Sequence, residues 1–503
     1  MKELEKKYFK ELHRDRSDSA NAFEKPSTRE MWKSIVEKYS DQAHFIYELI
    51  QNADDAGATS ARFVLEQDRL IFAHNGTRHF SISNPETEDI DSKEGRLGDI
   101  NAITGIAFSN KPQQDNKIGK FGVGFKAVFQ YTATPYIYDP NFCFRIDRYI
   151  VPIELASDFS GRKAGETLFV FPFNHKDRDS RETYKDIEGK LKSLSYPILF
   201  LSHLLDVSYE IGDMIGLYGK MIEESKNFGE TVAEKICLMQ NKGEVIISKH
   251  LWLFSRFENS LKYSVGFFLD EANKLIPVNE PAFCFFPTKE TTELKFLVHA
   301  PFLLTDSREG IRAGIPHNNH LIKLLANLSA DSILYLRDIG LESNIRLIDD
   351  DIFSIIPINE RNFCGLDDTN RISFRPFYTE IKEAFQKERI IPTRNSYTTV
   401  ENAYWAAVSF LTQLFSEEQL SDICGNDNAK WVFVSLSRDE IQRNNEILFQ
   451  YLDSLTKTNL NEDNLIKGRH FGKNRATIIK NTIQGISKKF IQKQDVDWLH
   501  KLY

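Results

Sequence analysis

The chain has 503 residues, of which 41% are hydrophobic and 27% charged, and a formal net charge of -8. That length allows roughly three domains with substantial cores, and the composition is that of an ordinary globular protein. No apolar run approaches the roughly 18 residues needed to span a bilayer, and the acidic balance argues against indiscriminate nucleic-acid binding by the whole surface.

The first residues, Met1-Lys2-Glu3-Leu4-Glu5-Lys6-Lys7, contain no apolar stretch of the secretory type. Cys143, Cys237, Cys284, Cys364 and Cys424 lie far apart without a Cys-x-x-Cys pair, a pattern of reduced thiols. A cytoplasmic location is expected. Residues to about Glu24 are heavily charged, and Pro26-Ser27-Thr28 with Glu30 starts a helix over 31–39. A second helix, from about Gln42, sets Glu48, Asn52 and Asp55 on one polar face. Residues 61–66 and 69–73, parted by Gln67-Asp68, read as a tight hairpin. From 83 to 116 the chain turns polar and loses strand character, which suggests a mobile lid. A helix over 121–131 and strands over 135–139, 142–146 and 167–173 follow.

Between 206 and 301 lies a series of strands, among them 244–247, 263–269, 283–286 and 296–299, closed by a helix over 318–336. From about Asn370 amphipathic helical segments dominate, at 378–386, 400–415, 438–455 and 476–490. There is no repeat at a fixed period and no low-complexity tract. The final amphipathic stretch, from Val496 to Tyr503, lacks a cap, so the natural chain is expected to continue further.

The chemistry concentrates in three boxes. Glu48-Leu49-Ile50-Gln51-Asn52 offers a carboxylate able to activate water, and four residues on an amide oxygen of the hard type that magnesium prefers. His74-Asn75-Gly76 ends an apolar run. In Lys117-Ile118-Gly119-Lys120-Phe121-Gly122-Val123-Gly124-Phe125 the glycines remove side chains that would hold backbone amides away from an anion, and the lysines add positive charge. In this order and spacing the boxes resemble the GHKL ATPase superfamily of gyrase B, heat-shock chaperones, histidine kinases and MutL. The nearest likeness is to sacsin-type ATPase domains.

The resemblance implies an α/β two-layer sandwich with a mixed sheet (the GHKL, or Bergerat, ATP-binding fold) over 1–175, an α+β middle block over 176–340 and a mainly helical block over 341–503. It implies ATP and Mg²⁺ as ligands. Glu48 would orient the attacking water, Asn52 ligate magnesium and Asp55 support them through hydrogen bonds. The glycine box with Lys117, Lys120, Phe121, Val123 and Phe125 would hold the phosphates, joined by Ser109 and Lys111 when the lid closes. Thr167 would sit at the adenine pocket, and Arg308 of the following block would reach the terminal phosphate.

One departure stands out. His74 occupies the position where the superfamily usually has an aspartate that accepts a hydrogen bond from the adenine amino group. A neutral imidazole nitrogen can accept that bond and an imidazolium cannot, so adenine affinity is expected to weaken at acid pH. Asn75 could instead turn its amide oxygen inward.

Two further features have simpler readings. His317-Asn318-Asn319-His320 has a metal-like spacing but no matched carboxylate or cysteine, and reads as a helix start. The acid-free run from Lys467 to Lys493 could meet nucleic acid, yet reads better as a solvated helix surface. The expected function is ATP binding with magnesium-dependent hydrolysis that drives lid closure and a chaperone-like change of shape or partner, with an unknown protein client, a homodimer as one arrangement and no membrane. The alternative is a nucleotide-gated binding module with little hydrolysis, in a bacterial defence or DNA-processing complex. A histidine kinase is disfavoured, since no histidine-bearing dimerisation helix precedes the nucleotide region.

Overall fold

A computed structural model of the chain describes residues 2–28, 45–105, 125–243, 245–305, 309–365, 367–456 and 487–502. The expected helix over 31–39, the glycine box to Gly124, Ser109, Lys111 and Arg308 lie outside these residues.

Alternating burial builds the amino-terminal part. Strand β1 (Ser60–Glu66) turns Ala61, Phe63 and Leu65 inward, and β2 (Arg69–His74) pairs with it antiparallel around Gln67-Asp68. An ion pair from Arg69 to Glu66 at 2.6 Å closes this hairpin. Strands β3 (Tyr136–Tyr138), β4 (Cys143–Asp147), β5 (Val151–Glu154) and β6 (Thr167–Pro172) extend the sheet in the order β1-β2-β6-β3-β4-β5. The helices Glu3–Phe23, Phe45–Asp55 and Ser180–Lys192 contribute Phe9, Leu12, Phe45, Leu49, Ile187 and Leu191 to one core on this sheet. On the other face Ile71, Ala73, Leu168 and Val170 form a small cluster.

The sheet does not stop there. Strand β7 (Asp206–Ile211) lies parallel to β1, and Ser60 Oγ donates to Asp206 at 2.6 Å where the two strands begin. Long antiparallel strands β8 (Met214–Phe228), β9 (Thr231–Lys242), β10 (Val245–Glu258) and β11 (Leu261–Leu269) follow. The short strands β12 (Leu275–Ile276), β13 (Phe283–Cys284), β14 (Phe286–Pro287) and β15 (Leu297–His299) complete a mixed sheet of 15 described strands. A second core packs Trp252, Phe254 and Phe267 against the helix Pro316–Glu342 and the helix Arg375–Lys387. The architecture is thus a large mixed sheet with helices, followed by a part rich in short helices. No described helix is long and apolar enough to cross a membrane.

Two expected helices come out differently. Residues 400–415 form a 3-10 turn (Val400–Asn402), a strand (Ala403–Trp405) parallel to Lys430–Val432, and a helix only at Ser409–Leu414. The reason is burial on both sides: Ala403 and Trp405 face the second core, whereas Tyr404 faces a third with Leu411 and Trp431. That is a period of two, which a helix cannot satisfy. Residues 438–455 split into Arg438–Asn444 and Glu446–Ser454, because Asn445 leaves helical geometry and its side chain caps Leu448 N at 3.0 Å.

The expected lid over 83–116 also divides. To Gly105 it is tied down: Ile100 and Ile103 enter the amino-terminal core, Glu88 accepts from Arg16 at 2.6 Å, and Asn101 Oδ1 accepts from Ser83 N at 2.9 Å. A segment that buries two isoleucines cannot swing open without exposing them. Residues 106–116 lie outside the described ones.

His299, at the end of β15, stacks on Phe200 with centroids 4.5 Å apart, and neither ring nitrogen has a hydrogen-bond partner among the described residues. Burial, assisted by the Lys262 charge, pushes its pKa down to about 3. The unfolded chain takes up this proton below about pH 6.5 and the folded chain does not, so stability falls as pH drops between those values. His299→Phe keeps the stack and removes the titration. It is expected to flatten the acid limb of unfolding free energy by on the order of a few kcal/mol, read from urea unfolding at pH 7 and pH 4.

Candidate functional site

The site is built on the helix Phe45–Asp55, which buries Phe45, Ile46, Leu49, Ile50 and Ala53 and leaves Glu48 and Asn52 half-buried on one stripe, one turn apart. What fixes this helix is Asp54. Its carboxylate is 7% exposed and accepts three backbone N–H groups, from Ser202 at 3.0 Å, His203 at 2.7 Å and Leu204 at 2.9 Å. Asp55, to which the resemblance gave the supporting role, is exposed, and its side chain makes no hydrogen bond among the described residues. The helical angle turns Asp54 toward the core and Asp55 toward solvent, so it is Asp54 that anchors this end of the helix.

Beside this helix lies a cleft lined by Asn52, Ala56, His74, Arg78, His79, Phe80, Asp99, Phe125, Thr167 and Phe169. Of the residues singled out from the sequence it brings together Asn52, His74, Phe125 and Thr167. Glu48, one turn before Asn52 on the same stripe, is not among the lining residues. The floor is aromatic: Phe169 has Phe125 at 6.0 Å and Phe80 at 6.1 Å between centroids. Such a floor suits a flat ring. Phe125 opens a 3-10 segment (Phe125–Gln130), not the α-helix expected there, and Lys126 donates to Tyr149 O at 2.8 Å.

His74 and Thr167 face each other across β2 and β6. Gly76 N donates to His74 Nδ1 at 3.2 Å, and a backbone N–H can only donate, so Nδ1 is the acceptor and Nε2 carries the proton. Glycine is needed at 76 because a Cβ there would stand 2.8 Å from Ala56 O and 2.9 Å from Nδ1. Burial, aided by the charge of His79, pushes the His74 pKa down to about 4. The ring is therefore neutral at ordinary pH and offers the cleft a donor, whereas the sequence reading gave it an acceptor. Asn75 does not turn inward. Its Oδ1 accepts from Thr59 N at 2.9 Å and Ser60 N at 3.0 Å, and its Nδ2 donates to Thr59 Oγ1, so the amide is used at the start of β1.

Three charged groups escaped the sequence reading. Asp139, 1% exposed, accepts the Thr167 hydroxyl at 2.7 Å and Asn141 N at 2.9 Å, and lies 3.3 Å from His79 Nδ1. Its Asp-Pro-Asn setting reads as an ordinary turn, and nothing local signals the pairing with Thr167. Arg78 bonds Asp99, whose other oxygen accepts Ser81 Oγ at 2.7 Å. Arg78 follows the His74-Asn75-Gly76 box by two residues, the one available hint. The Asn52 side chain makes no hydrogen bond among the described residues and lines the cleft, where its amide oxygen can meet a ligand.

Residues 25–151, which span the site helix, the hairpin and the glycine box, match the family model described as the sacsin domain. The chain thus carries a sacsin domain over these residues and is of the sacsin-like kind. Among particular relatives it is similar to Protein NO VEIN of Arabidopsis thaliana, 26% identical over 347 residues covering 59% of this chain and 11% of that protein. It is also similar to Sacsin of Homo sapiens, 31% identical over 126 residues covering 23% of this chain and 3% of that protein. The chain thus spans about a tenth or less of the length of these relatives.

Proposed function

We propose that the cleft beside the helix Phe45–Asp55 binds ATP with magnesium and that the chain hydrolyses it slowly, using the cycle to change shape or partner. The observation that carries this reading is the Asn52 amide, without a partner among the described residues, in a cleft with an aromatic floor, a buried hydroxyl and an arginine. A free amide oxygen fits a hard cation, and bound magnesium supplies neutralisation of the phosphate charge. Glu48, one turn before Asn52, holds the attacking water and takes its proton. Lys117, Lys120 and the glycines at 119, 122 and 124 are assigned to the phosphates through the resemblance alone.

At the base end the roles of donor and acceptor are exchanged. His74 Nε2–H donates to adenine N1, and the adenine amino group donates to Thr167 Oγ1, whose own proton goes to Asp139. Because His74 is neutral down to about pH 4, the acid weakening expected from the sequence leaves the usual range. Affinity for ATP is expected to be flat between about pH 5.5 and 8 and to fall only below, where an Nδ1 proton would oppose the Gly76 N–H. A decline centred near pH 6.5 would rule out the donor form.

Calorimetric titration of the chain with a non-hydrolysable ATP analogue, with and without magnesium, tests the main reading. Magnesium-dependent binding that Asn52→Ala weakens at least about tenfold is expected. No binding of any purine nucleotide removes it.

A further inference from the structure

Away from the cleft, three adjacent strands bring side chains of different chemistry to one point. Glu223, Cys237 and His250 offer ligand atoms that all lie within 4.8 Å of one another. Register produces this. Cys237 and His250 stand directly opposite across β9 and β10, and opposed residues of an antiparallel pair share a face. Glu223 would ordinarily fall out of step. The β8–β9 register shifts between Ile222 and Glu224, so Glu223 is the extra residue of a bulge, a device that re-aims the side chain it carries. Its carboxylate comes within 3.2 Å of His250 Nδ1, with Lys235 Nζ 3.7 Å away.

The cluster sits where a buried surface meets solvent. Ala233 and Trp252, two residues or four along the same face, enter the second core, and Cys237 is buried. The Glu223 and His250 side chains keep 26% and 34% of their exposure, which leaves an approach from water. An ion pair between His250 and Glu223 would account for two members, but it needs no thiol beside it.

We propose that Glu223, Cys237 and His250 form a binding site for a borderline divalent transition ion of the zinc class. A thiolate, an imidazole and a carboxylate together match that class, whereas magnesium and calcium take oxygen ligands. Cys237 releases its proton to solvent as it ligates, and three protein ligands leave a fourth position for water. The site lies outside the nucleotide cleft and does not depend on the reading given for it.

The test uses the full 503-residue chain, freed of metal by a chelator and titrated with Co²⁺ in the absence of nucleotide. A thiolate-to-cobalt charge-transfer band that saturates near one equivalent and is displaced by Zn²⁺ is expected. Cys237→Ser should abolish the band, and His250→Ala and Glu223→Gln should each weaken cobalt binding at least about tenfold. Absence of the band, or its survival in Cys237→Ser through one of the other cysteines, overturns the proposal. Should Cys237→Ser fail to fold, the exposed Glu223→Gln decides the matter: unchanged cobalt affinity in that variant overturns it equally.

Discussion

Asp54→Ala is expected to lower the unfolding free energy by at least about 3 kcal/mol and to weaken nucleotide binding in the same variant. The carboxylate accepts N–H groups from Ser202, His203 and Leu204 at 2.7–3.0 Å, and alanine leaves all three without an acceptor. A buried donor stripped of its partner costs about 1–3 kcal/mol, and hydrogen bonds to a charged acceptor are the stronger kind. The second effect follows from position. Asp54 is two residues from Asn52, so releasing this end of the helix loosens the ligand itself. Asp54→Asn keeps one acceptor oxygen and should fall between wild type and alanine in urea unfolding. Asp55→Ala, on the exposed side, should change stability by less than about 0.5 kcal/mol. Equal effects of the two alanine variants would show that the helix is not held in this way.

Glu48→Ala is expected to reduce phosphate release by about 10²- to 10⁴-fold while ATP affinity stays within a few-fold, the signature of a lost proton acceptor in place of a lost binding contact. The measurement also separates the two functional readings. A wild-type rate that Glu48→Ala leaves unchanged would mean that the chain holds nucleotide without using it chemically, as a gated binding module would. Glu48→Gln, which preserves shape and hydrogen bonding but cannot take a proton, should resemble the alanine variant in rate.

Much of the local structure was legible because its causes are local. The apolar spacing of Ile46, Leu49, Ile50 and Ala53 makes a helix with Glu48 and Asn52 on its other side, and alternation from Ala61 to Leu65 makes the first strand of the hairpin. The same spacing misled where a segment is covered on two sides: Ala403 to Val408 is apolar throughout, and only the two cores that flank it determine that it begins as a strand.

The sequence by itself determined the helix that carries Glu48 and Asn52 on one face and the hairpin that ends in His74, and its motif boxes carry the resemblance to sacsin-type domains. The helix and the hairpin follow from periodicity, which acts within a few turns of chain. Only the tertiary structure decided that Asp54 and not Asp55 anchors the helix, that Asn75 is spent on β1, that His74 Nδ1 accepts from Gly76 N, and that a bulge brings Glu223 to Cys237 and His250. Each of those depends on a hydrogen-bond partner or strand register supplied from elsewhere in the fold. The partners of Asp54 lie nearly 150 residues away, and no local pattern specifies which buried donor a distant loop will present.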